Sequence, residues 1–159
     1  MWIQNVALAD IPKGNYRGDG KGTILIQIVD PAMTFPAPKH KFDAVHQFEF
    51  LDLEDEDPCV EDGFKIQDEQ ADQLVAILQY ALKHEKNVVV HCHAGICRSG
   101  AVAEVGVMMG FDDAKAFRQP NLRVKHKMMQ ALGWTYDRDE QAANNWLAYY
   151  DYLESKGEM

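Results

Sequence analysis

The stretch that most constrains the fold of this chain is a run of valines that ends in a cysteine. Residues 87–92 read NVVVHC, and a loop of small residues follows before Arg98 and Ser99. A short, continuously apolar run with polar flanks is typical of a strand buried on both faces of a parallel sheet. The next apolar stretch, Gly100–Met109, predicts a packed helix that begins near Arg98. The pattern therefore predicts a strand, a tight loop and a helix around Cys92.

The remaining patterns predict an α/β fold. Two further strands are indicated, at Thr23–Asp30, which is apolar and β-branched, and at Ala44–Phe50, where apolar and polar residues alternate. Amphipathic spacing predicts three more helices, at Asp68–His84, about Leu122–Leu132 and about Glu140–Leu153. We expect a single domain over residues 1–159, with a mainly parallel central sheet flanked by helices. In such sheets ligands bind at the carboxyl ends of the strands, which is where the cysteine loop lies.

The charge of the chain disfavours two classes of partner. Asp and Glu number 25 against 16 Lys and Arg, a formal net charge of −9. An acidic surface repels both nucleic acid and anionic lipid. We therefore expect neither a nucleic acid nor a membrane as a partner.

The cysteine content indicates reduced thiols. Cys59, Cys92 and Cys97 are an odd number in a chain of this length, which is not the pattern of a disulfide-stapled secreted domain. The first ten residues lack a basic segment followed by a long apolar core, so no signal peptide is predicted. No apolar run reaches the ~18 residues that a membrane span needs. The expected location is the cytoplasm.

The loop after the valine strand has the features of an anion site. A loop that enters a helix directs several backbone N–H groups toward one point, and the helix dipole adds partial positive charge there. That setting favours the thiolate of Cys92 over its thiol. The guanidinium of Arg98 can hold two oxygens of an oxyanion at once. We interpret Gly95 as the position where the backbone comes close to that anion.

The run His91-Cys92-(five residues)-Arg98-Ser99 resembles the signature of the cysteine-based protein tyrosine and dual-specificity phosphatase superfamily, in its compact bacterial or phage form. The resemblance covers about residues 44–127. It implies that Cys92 attacks phosphorus, that Ser99 eases departure of the sulfur, and that His91 tunes Cys92 through hydrogen bonds. It implies no cofactor and no metal. The groups implied to bind phosphate belong to His93, Ala94, Gly95, Ile96, Cys97 and Arg98.

A phosphatase of this kind also needs an acid to protonate the leaving oxygen. The resemblance implies an Asp on a loop after a neighbouring strand. The acidic segment 52–58 offers Asp52, Asp55 and Asp57. We favour Asp52, because it directly follows the strand in a Phe-x-Asp pattern like that of the family, and Asp55 is the alternative.

The expected substrate is a phosphorylated protein or peptide. Phosphotyrosine is the first candidate, and phosphoserine and phosphothreonine are further ones. Relatives that act on phosphoinositides tend to carry lysines in the loop, whereas this loop has His93 and no lysine. The densest basic run, Arg123–Lys127, has two interpretations, a solvated helix face or a rim that docks an acidic phosphopeptide.

Other classes of protein use similar motifs. Rhodanese-like sulfurtransferases and arsenate reductases also place a loop cysteine near positive charge, but the Arg98-Ser99 pair and an upstream acid favour a phosphatase. A phosphate-binding pseudophosphatase usually lacks the cysteine or the arginine, and both are present here. A metal site at His91, Cys92, His93 and Cys97 is disfavoured, because successive strand residues point to opposite sides.

Cys97 departs from the usual loop of dual-specificity phosphatases, which carries Ser or Gly there. Low-molecular-weight tyrosine phosphatases, of a separate fold, place a second cysteine there, and it forms a reversible disulfide with the nucleophile. That similarity implies a redox disulfide between Cys92 and Cys97. The alternative is that Cys97 only fills the loop as a small residue.

Overall fold

The computed structural model describes residues 1–58, 62–135 and 149–156. Within these ranges the strands are β1 (Trp2–Ala7), β2 (Thr23–Val29), β3 (Ala44–Glu49), β4 (Asn87–Cys92) and β5 (Asp112–Asp113). The helices are α1 (Asp10–Lys13), α2 (Asp68–Lys83), α3 (Arg98–Met109) and α4 (Leu122–Ala131). A 3-10 turn spans Asp62–Phe64, and residues 149–155 are helical.

The described strands form one parallel sheet in the order β3-β2-β4-β1-β5. Gln27 of β2 lies beside His91 of β4, and Ala7 of β1 lies beside Cys92. Parallel strands all end at the same edge of a sheet. The segments that leave β1, β2 and β3 are therefore brought beside the loop that leaves β4.

The sheet is apolar on both faces. Alternate residues of the two central strands point to opposite sides, so one strand contributes to two separate cores. The main core takes Ile24, Ile26, Ile28, Val88 and Val90, and a smaller cluster takes Leu25 and Val89. Buried residues of α2, α3 and α4 complete the main core, while Ile11 and Phe42 complete the smaller one. Burial on both sides is the reason that the valine run is continuous rather than alternating.

The helices follow from ordinary capping and amphipathic patterns. Gln67 and Gln70 form a reciprocal capping box at the start of α2, and Asp68 and Glu69 suit the positive end of its dipole. Helix α3 is buried over most of its length. Among the residues that the structure describes, no helix combines the length and the apolar character required to cross a bilayer.

The predicted α/β class with a parallel sheet is confirmed, and the predicted strands and helices within the described ranges agree with the structure to within a residue or so. Two strands were missed. In β1, Gln4 and Asn5 interrupt the apolar residues, so the pattern neither alternates nor runs continuously. Strand β5 has only 2 residues. Cys59 and most of the helix predicted at Glu140–Leu153 lie outside the described residues.

Candidate active site

The cysteine loop lies between the end of β4 and the start of α3. Cys92 is the last residue of the strand and Arg98 the first of the helix, so residues 93–97 form the connection. Cys92, Arg98 and Ser99 are buried, whereas His93 and Ala94 are exposed. The loop therefore combines two solvent-exposed residues with a buried sulfur and a buried guanidinium.

The carbonyl groups of the loop are held from outside. Asn5 Nδ2 donates to Gly95 O (2.7 Å), Leu8 N to His93 O (3.1 Å), Gln119 N to Ile96 O (3.1 Å) and Asn121 N to Cys97 O (3.0 Å). Within the described part of the chain, the N–H groups of residues 94–97 donate to no other group. With the carbonyls tied outward, the N–H groups and the amino end of α3 form a cradle suited to an anion.

Gly95 lies tightly against the backbone of a neighbouring strand. Its φ is 74°, a conformation that favours glycine. A Cβ at this position would lie 2.3 Å from the carbonyl carbon of Val6 and 2.4 Å from the nitrogen of Ala7. The close approach that requires glycine here is to the backbone of β1. The approach of the Gly95 backbone to an anion stays a prediction.

Ser99 and His91 contact different atoms of Cys92. Ser99 Oγ lies 3.1 Å from Cys92 Sγ, so the hydroxyl can donate to a thiolate. His91 is fully buried; its Nδ1 lies 3.4 Å from the carbonyl oxygen of Cys92, and its Nε2 has no partner. Burial, with a smaller contribution from the charge of Arg98, lowers the pKa of His91 to about 4. The imidazole is therefore neutral at physiological pH.

Arg98 is anchored by two neighbouring strand ends. Its Nη1 donates to Asp30 Oδ1 (2.7 Å), just after β2, and to the carbonyl oxygen of Phe50 (2.8 Å), just after β3. Its Nε is buried and has no acceptor in the described chain. A buried guanidinium N–H without a partner is costly, and an oxyanion held in the loop would satisfy it. Asp30 was not among the residues predicted for the site.

The structure separates the three acidic candidates. Asp52 Oδ1 accepts from Asn121 Nδ2 (2.7 Å), and the carboxylate of Asp52 is close enough to the loop to raise the pKa of the Cys97 thiol. Asp55 forms an ion pair with Arg123 (2.7 Å), and Asp57 Oδ2 accepts from the backbone nitrogen of Glu54 (2.8 Å). Of the three carboxylates, it is that of Asp52 that these contacts place against the cysteine loop.

The thiol of Cys97 is affected electrostatically by both Cys92 and Asp52. Burial is the main cause that raises the pKa of its thiol to about 12, and the negative charges of Asp52, Cys92 and Glu54 act in the same direction. Cys97 is a free thiol, as is Cys92. At physiological pH the thiol of Cys97 is therefore protonated.

Asn121 joins the acidic segment to α4. Its Oδ1 caps the helix by accepting from Val124 N (2.9 Å), which leaves Nδ2 to donate to Asp52 and to the carbonyl of Leu53 (3.2 Å). The carboxylate of Glu54 accepts from the backbone nitrogens of Leu122 and Arg123, each at 2.8 Å. An Asn directly before a helical pattern is a recognisable cap signal. Its link to Asp52 is not readable from the sequence.

The basic run at Arg123–Lys127 forms ion pairs, and both interpretations of it as an open surface are corrected. Arg123 pairs with Asp55 (2.7 Å), Lys125 with Glu104 (3.5 Å) and Lys127 with Asp68 (2.7 Å). Lys125 is also buried. These ion pairs link α4 to neighbouring segments. The run is therefore not a solvated helix face, and its charges already have acidic partners within the chain.

The described residues hold no metal-binding cluster, and a cleft lies away from the cysteine loop. No group of three or more His, Cys, Asp or Glu side chains there is arranged to hold a metal ion, and His91, Cys92, His93 and Cys97 do not form such a group. A separate cleft of about 650 Å³ opens at the amino ends of β2 and β3, lined by charges of both signs that include Lys21, Asp43 and Lys86. It lies at the opposite edge of the sheet from Cys92.

No protein-family model matches this chain, and no curated protein matches it. Its structure is similar to that of human DUSP28, at 15% identity and TM-score 0.47, covering 97% of this chain and 94% of that one. It is also similar to OH1 from the Orf virus, a tyrosine phosphatase, at 17% identity and TM-score 0.45, covering 96% and 71%. A mouse putative dual specificity phosphatase matches at 16% identity and TM-score 0.42, covering 88% and 76%. Likenesses at this level identify neither a substrate nor a catalytic residue.

Proposed function

We propose that this chain is a protein phosphatase that hydrolyses phosphotyrosine through a phosphocysteine on Cys92. The observation that carries the proposal is the joint geometry of the loop: a buried sulfur beside a hydroxyl, N–H groups without acceptors, and a guanidinium whose Nε has none. These groups match the needs of a phosphoryl group, which carries its negative charge on three oxygens.

In the first step the thiolate of Cys92 attacks phosphorus, and the bond from phosphorus to the leaving oxygen breaks. Loop N–H groups and the guanidinium of Arg98 stabilise the oxygens of the transition state. The N–H groups are those of His93, Ala94, Gly95, Ile96 and Cys97. Asp52, as its carboxylic acid, gives its proton to the leaving oxygen. The products of this step are the free hydroxyl of the substrate and a phosphocysteine.

In the second step water hydrolyses the phosphocysteine. The carboxylate of Asp52 takes a proton from the water while the water oxygen attacks phosphorus. The bond between sulfur and phosphorus breaks, and the sulfur leaves as a thiolate. Ser99, 3.1 Å from that sulfur, donates a hydrogen bond to it and makes it a better leaving group.

Two features support a substrate class: the residues of the loop and the burial of Cys92. The loop contains no lysine beside the phosphate cradle, which disfavours a phosphoinositide. The buried position of Cys92 favours a long aromatic phosphoester, so phosphotyrosine in a protein or peptide is the first candidate, with phosphoserine and phosphothreonine next. The chemistry needs Cys92 as a reduced thiol, in keeping with a reducing compartment such as the cytoplasm.

The test is hydrolysis of p-nitrophenyl phosphate and of a phosphotyrosine peptide by the wild type and by Cys92→Ser, with a chelator present. Cys92→Ser should have no turnover but should still bind the phosphopeptide, and rapid acid quenching of the wild type should trap phosphate on Cys92. Full turnover by Cys92→Ser, or dependence on an added divalent metal, would contradict the proposal. Sulfur transfer from thiosulfate without phosphatase activity would favour the sulfurtransferase class instead.

A further inference from the structure

Asp30 lies where β2 ends, at the carboxyl edge of the sheet that also bears Cys92. Its Oδ1 is 2.7 Å from Arg98 Nη1, and the two residues are 68 positions apart in the chain. The side chain of Arg98 is 5% exposed and that of Asp30 is 46% exposed. The ion pair therefore joins a buried cation to a carboxylate at the rim of the site.

The contacts of Arg98 distinguish the edges of its guanidinium. Nη1 donates two hydrogen bonds, one to Asp30 and one to the carbonyl of Phe50 (2.8 Å). The buried Nε has no acceptor in the described chain. A guanidinium binds an oxyanion bidentately through two adjacent N–H groups. With Nη1 anchored, the edge left for two phosphate oxygens is that of Nε and Nη2.

We propose that Asp30 is a positioning residue for the phosphatase reaction: together with the Phe50 carbonyl it anchors Nη1, so that the Nε and Nη2 edge of Arg98 is presented to the phosphate. This inference rests on the proposed function. Asp30 acts through Arg98 and does not touch the reacting atoms. Because the angle of a planar fork must match the plane of two phosphate oxygens, a small rotation of the guanidinium costs both binding and rate.

Hydrogen bonds hold the backbone of the turn that begins at Asp30. Met33 N donates to Asp30 O (3.0 Å), which closes a turn with Pro31 and Ala32 at its centre. Ala32 has a φ of 67°, and its nitrogen donates to Glu49 Oε1 at the end of β3 (2.9 Å). A residue other than glycine in this conformation persists only when its surroundings hold it there. The turn thus fixes Asp30 relative to the end of β3.

The first experiment is a double-mutant cycle on phosphotyrosine peptide hydrolysis, with Asp30→Ala, Arg98→Lys and the double variant. Asp30→Ala should lower kcat/KM by about 10- to 100-fold, the order expected for a misplaced catalytic group. In the Arg98→Lys background the same change should cost less than about 3-fold, because lysine has no planar edge to orient. Asp30→Asn, which keeps an oxygen acceptor for Nη1, should recover most of the loss.

A matched control is Asp43→Ala. It removes a 2.6 Å ion pair with Lys86 at the opposite end of the sheet and should leave kcat/KM unchanged. Melting temperatures of all variants separate misfolding from misplacement, and Asp30→Leu, which is of similar size but has no acceptor for Nη1, replaces Asp30→Ala if that variant does not fold. Equal losses from Asp30→Ala in both Arg98 backgrounds would overturn the inference, since a purely structural role does not depend on the fork.

The second experiment keeps this inference separate from the proposed function. Titration of inorganic phosphate into Cys92→Ser, with and without Asp30→Ala, measures the positioning of Arg98 where no turnover occurs. Asp30→Ala should weaken phosphate binding by about 10-fold, in line with loss of a charge-assisted anchor. An unchanged affinity would overturn the role of Asp30. A weakened affinity in a protein whose wild type hydrolyses no phosphoester would support the anchor and refute the phosphatase.

Discussion

At the scale of single residues, hydrogen bonds to specific partners fix the side chains of the proposed site. Arg98 donates through Nη1 to two protein acceptors, and its buried Nε has no acceptor in the described chain. The hydroxyl of Ser99 lies beside the sulfur of Cys92. The carboxylate of Asp52 accepts from Asn121 Nδ2 and raises the pKa of the nearby Cys97 thiol. Each of these side chains therefore has a defined orientation before a substrate arrives.

Changing Asp52 to Asn should expose its role as acid and base. We expect Asp52→Asn to lower kcat by about 10²–10⁴ on a phosphotyrosine peptide, and much less on an aryl phosphate whose leaving oxygen needs little protonation. Steady-state kinetics on both substrates measures the difference. Asp57→Asn is the matched control, because among the described residues the carboxylate of Asp57 accepts from the backbone nitrogen of Glu54. If Asp55→Asn shows the leaving-group dependence and Asp52→Asn does not, the acid is Asp55.

The oxidation behaviour of Cys97 is a second prediction at this scale. Trapping an oxidised Cys92 requires the thiolate of Cys97, and its pKa of about 12 keeps that thiolate scarce at neutral pH. We therefore expect wild type and Cys97→Ser to recover equally when reductant follows mild peroxide. Activity recovery and mass spectrometry of the Cys92 peptide measure this. A Cys92–Cys97 linkage, with better recovery in the wild type, would instead support the redox disulfide.

At the scale of elements, the amino end of α4 holds the acidic segment against the cysteine loop. Asn121 caps the helix and donates to Asp52, while Glu54 accepts from two N–H groups of the first turn. Charge near a helix amino end and a side-chain cap both stabilise the helix. The same contacts fix the position of Asp52, so helix stability and site geometry are coupled here.

Two substitutions of Asn121 should separate these effects. Asn121→Ser can still cap α4 through its hydroxyl but cannot reach Asp52, so we expect it to keep most of the stability and to lose activity. Asn121→Ala should lose activity similarly and also about 1 kcal/mol of unfolding free energy, the usual cost of a lost cap. Urea unfolding and peptide kinetics on both variants provide the measurements. Wild-type activity in Asn121→Ser would show that the link to Asp52 has no catalytic effect.

The turn after β2 offers a third prediction, on stability. Ala32 has a φ of 67°, in the left-handed region that costs a residue with a Cβ about 1–2 kcal/mol. Ala32→Gly removes this cost but gives the unfolded chain more freedom. We expect a net gain of about 0.5 kcal/mol in unfolding free energy. Val45→Gly, a strand substitution without positive φ, is the contrasting control and should destabilise.

At the scale of the whole molecule, the proposed active site is continuous with the hydrophobic core. Cys92 belongs to the main core cluster, and His91 is fully buried beneath the loop. Conditions that charge a buried group therefore act on the stability of the fold as well as on the site. His91 is the clearest case, because burial lowers its pKa from 6.5 to about 4.

This pKa predicts acid lability with a definite sign. Between pH 6.5 and about pH 4 the unfolded chain binds a proton that folded His91 refuses, so stability present above pH 6.5 is lost as the pH falls. The loss should be about 2 kcal/mol between roughly pH 7.5 and pH 5. Urea unfolding at both values should show this component in the wild type and not in His91→Asn. Exposed His84→Asn is the control, and an unchanged pH dependence in His91→Asn would contradict the assignment.

Contiguous features of the chain were predictable from the sequence. The strand, loop and helix around Cys92 follow one another directly, so hydrophobic periodicity and residue type were enough to predict their order and the grouping of Cys92, Arg98 and Ser99. The parallel α/β class followed from the same patterns. Strand β1 was not predictable, because its two central polar residues pack against other segments of the chain instead of following a strand period.

The tertiary structure decided the contacts that join distant segments. Asn5 reaches the carbonyl of Phe117 across 112 positions, Asn121 reaches Asp52 across 69, and Asp30 reaches Arg98 across 68. Residue types and local spacing carry no information about such pairs, because each depends on the order of strands in the sheet and on how α4 packs. The sequence by itself thus determined the chemistry of the loop. Only the packing of β1, β2 and α4 around the loop decided which acid adjoins it, why Gly95 is required and what anchors Arg98.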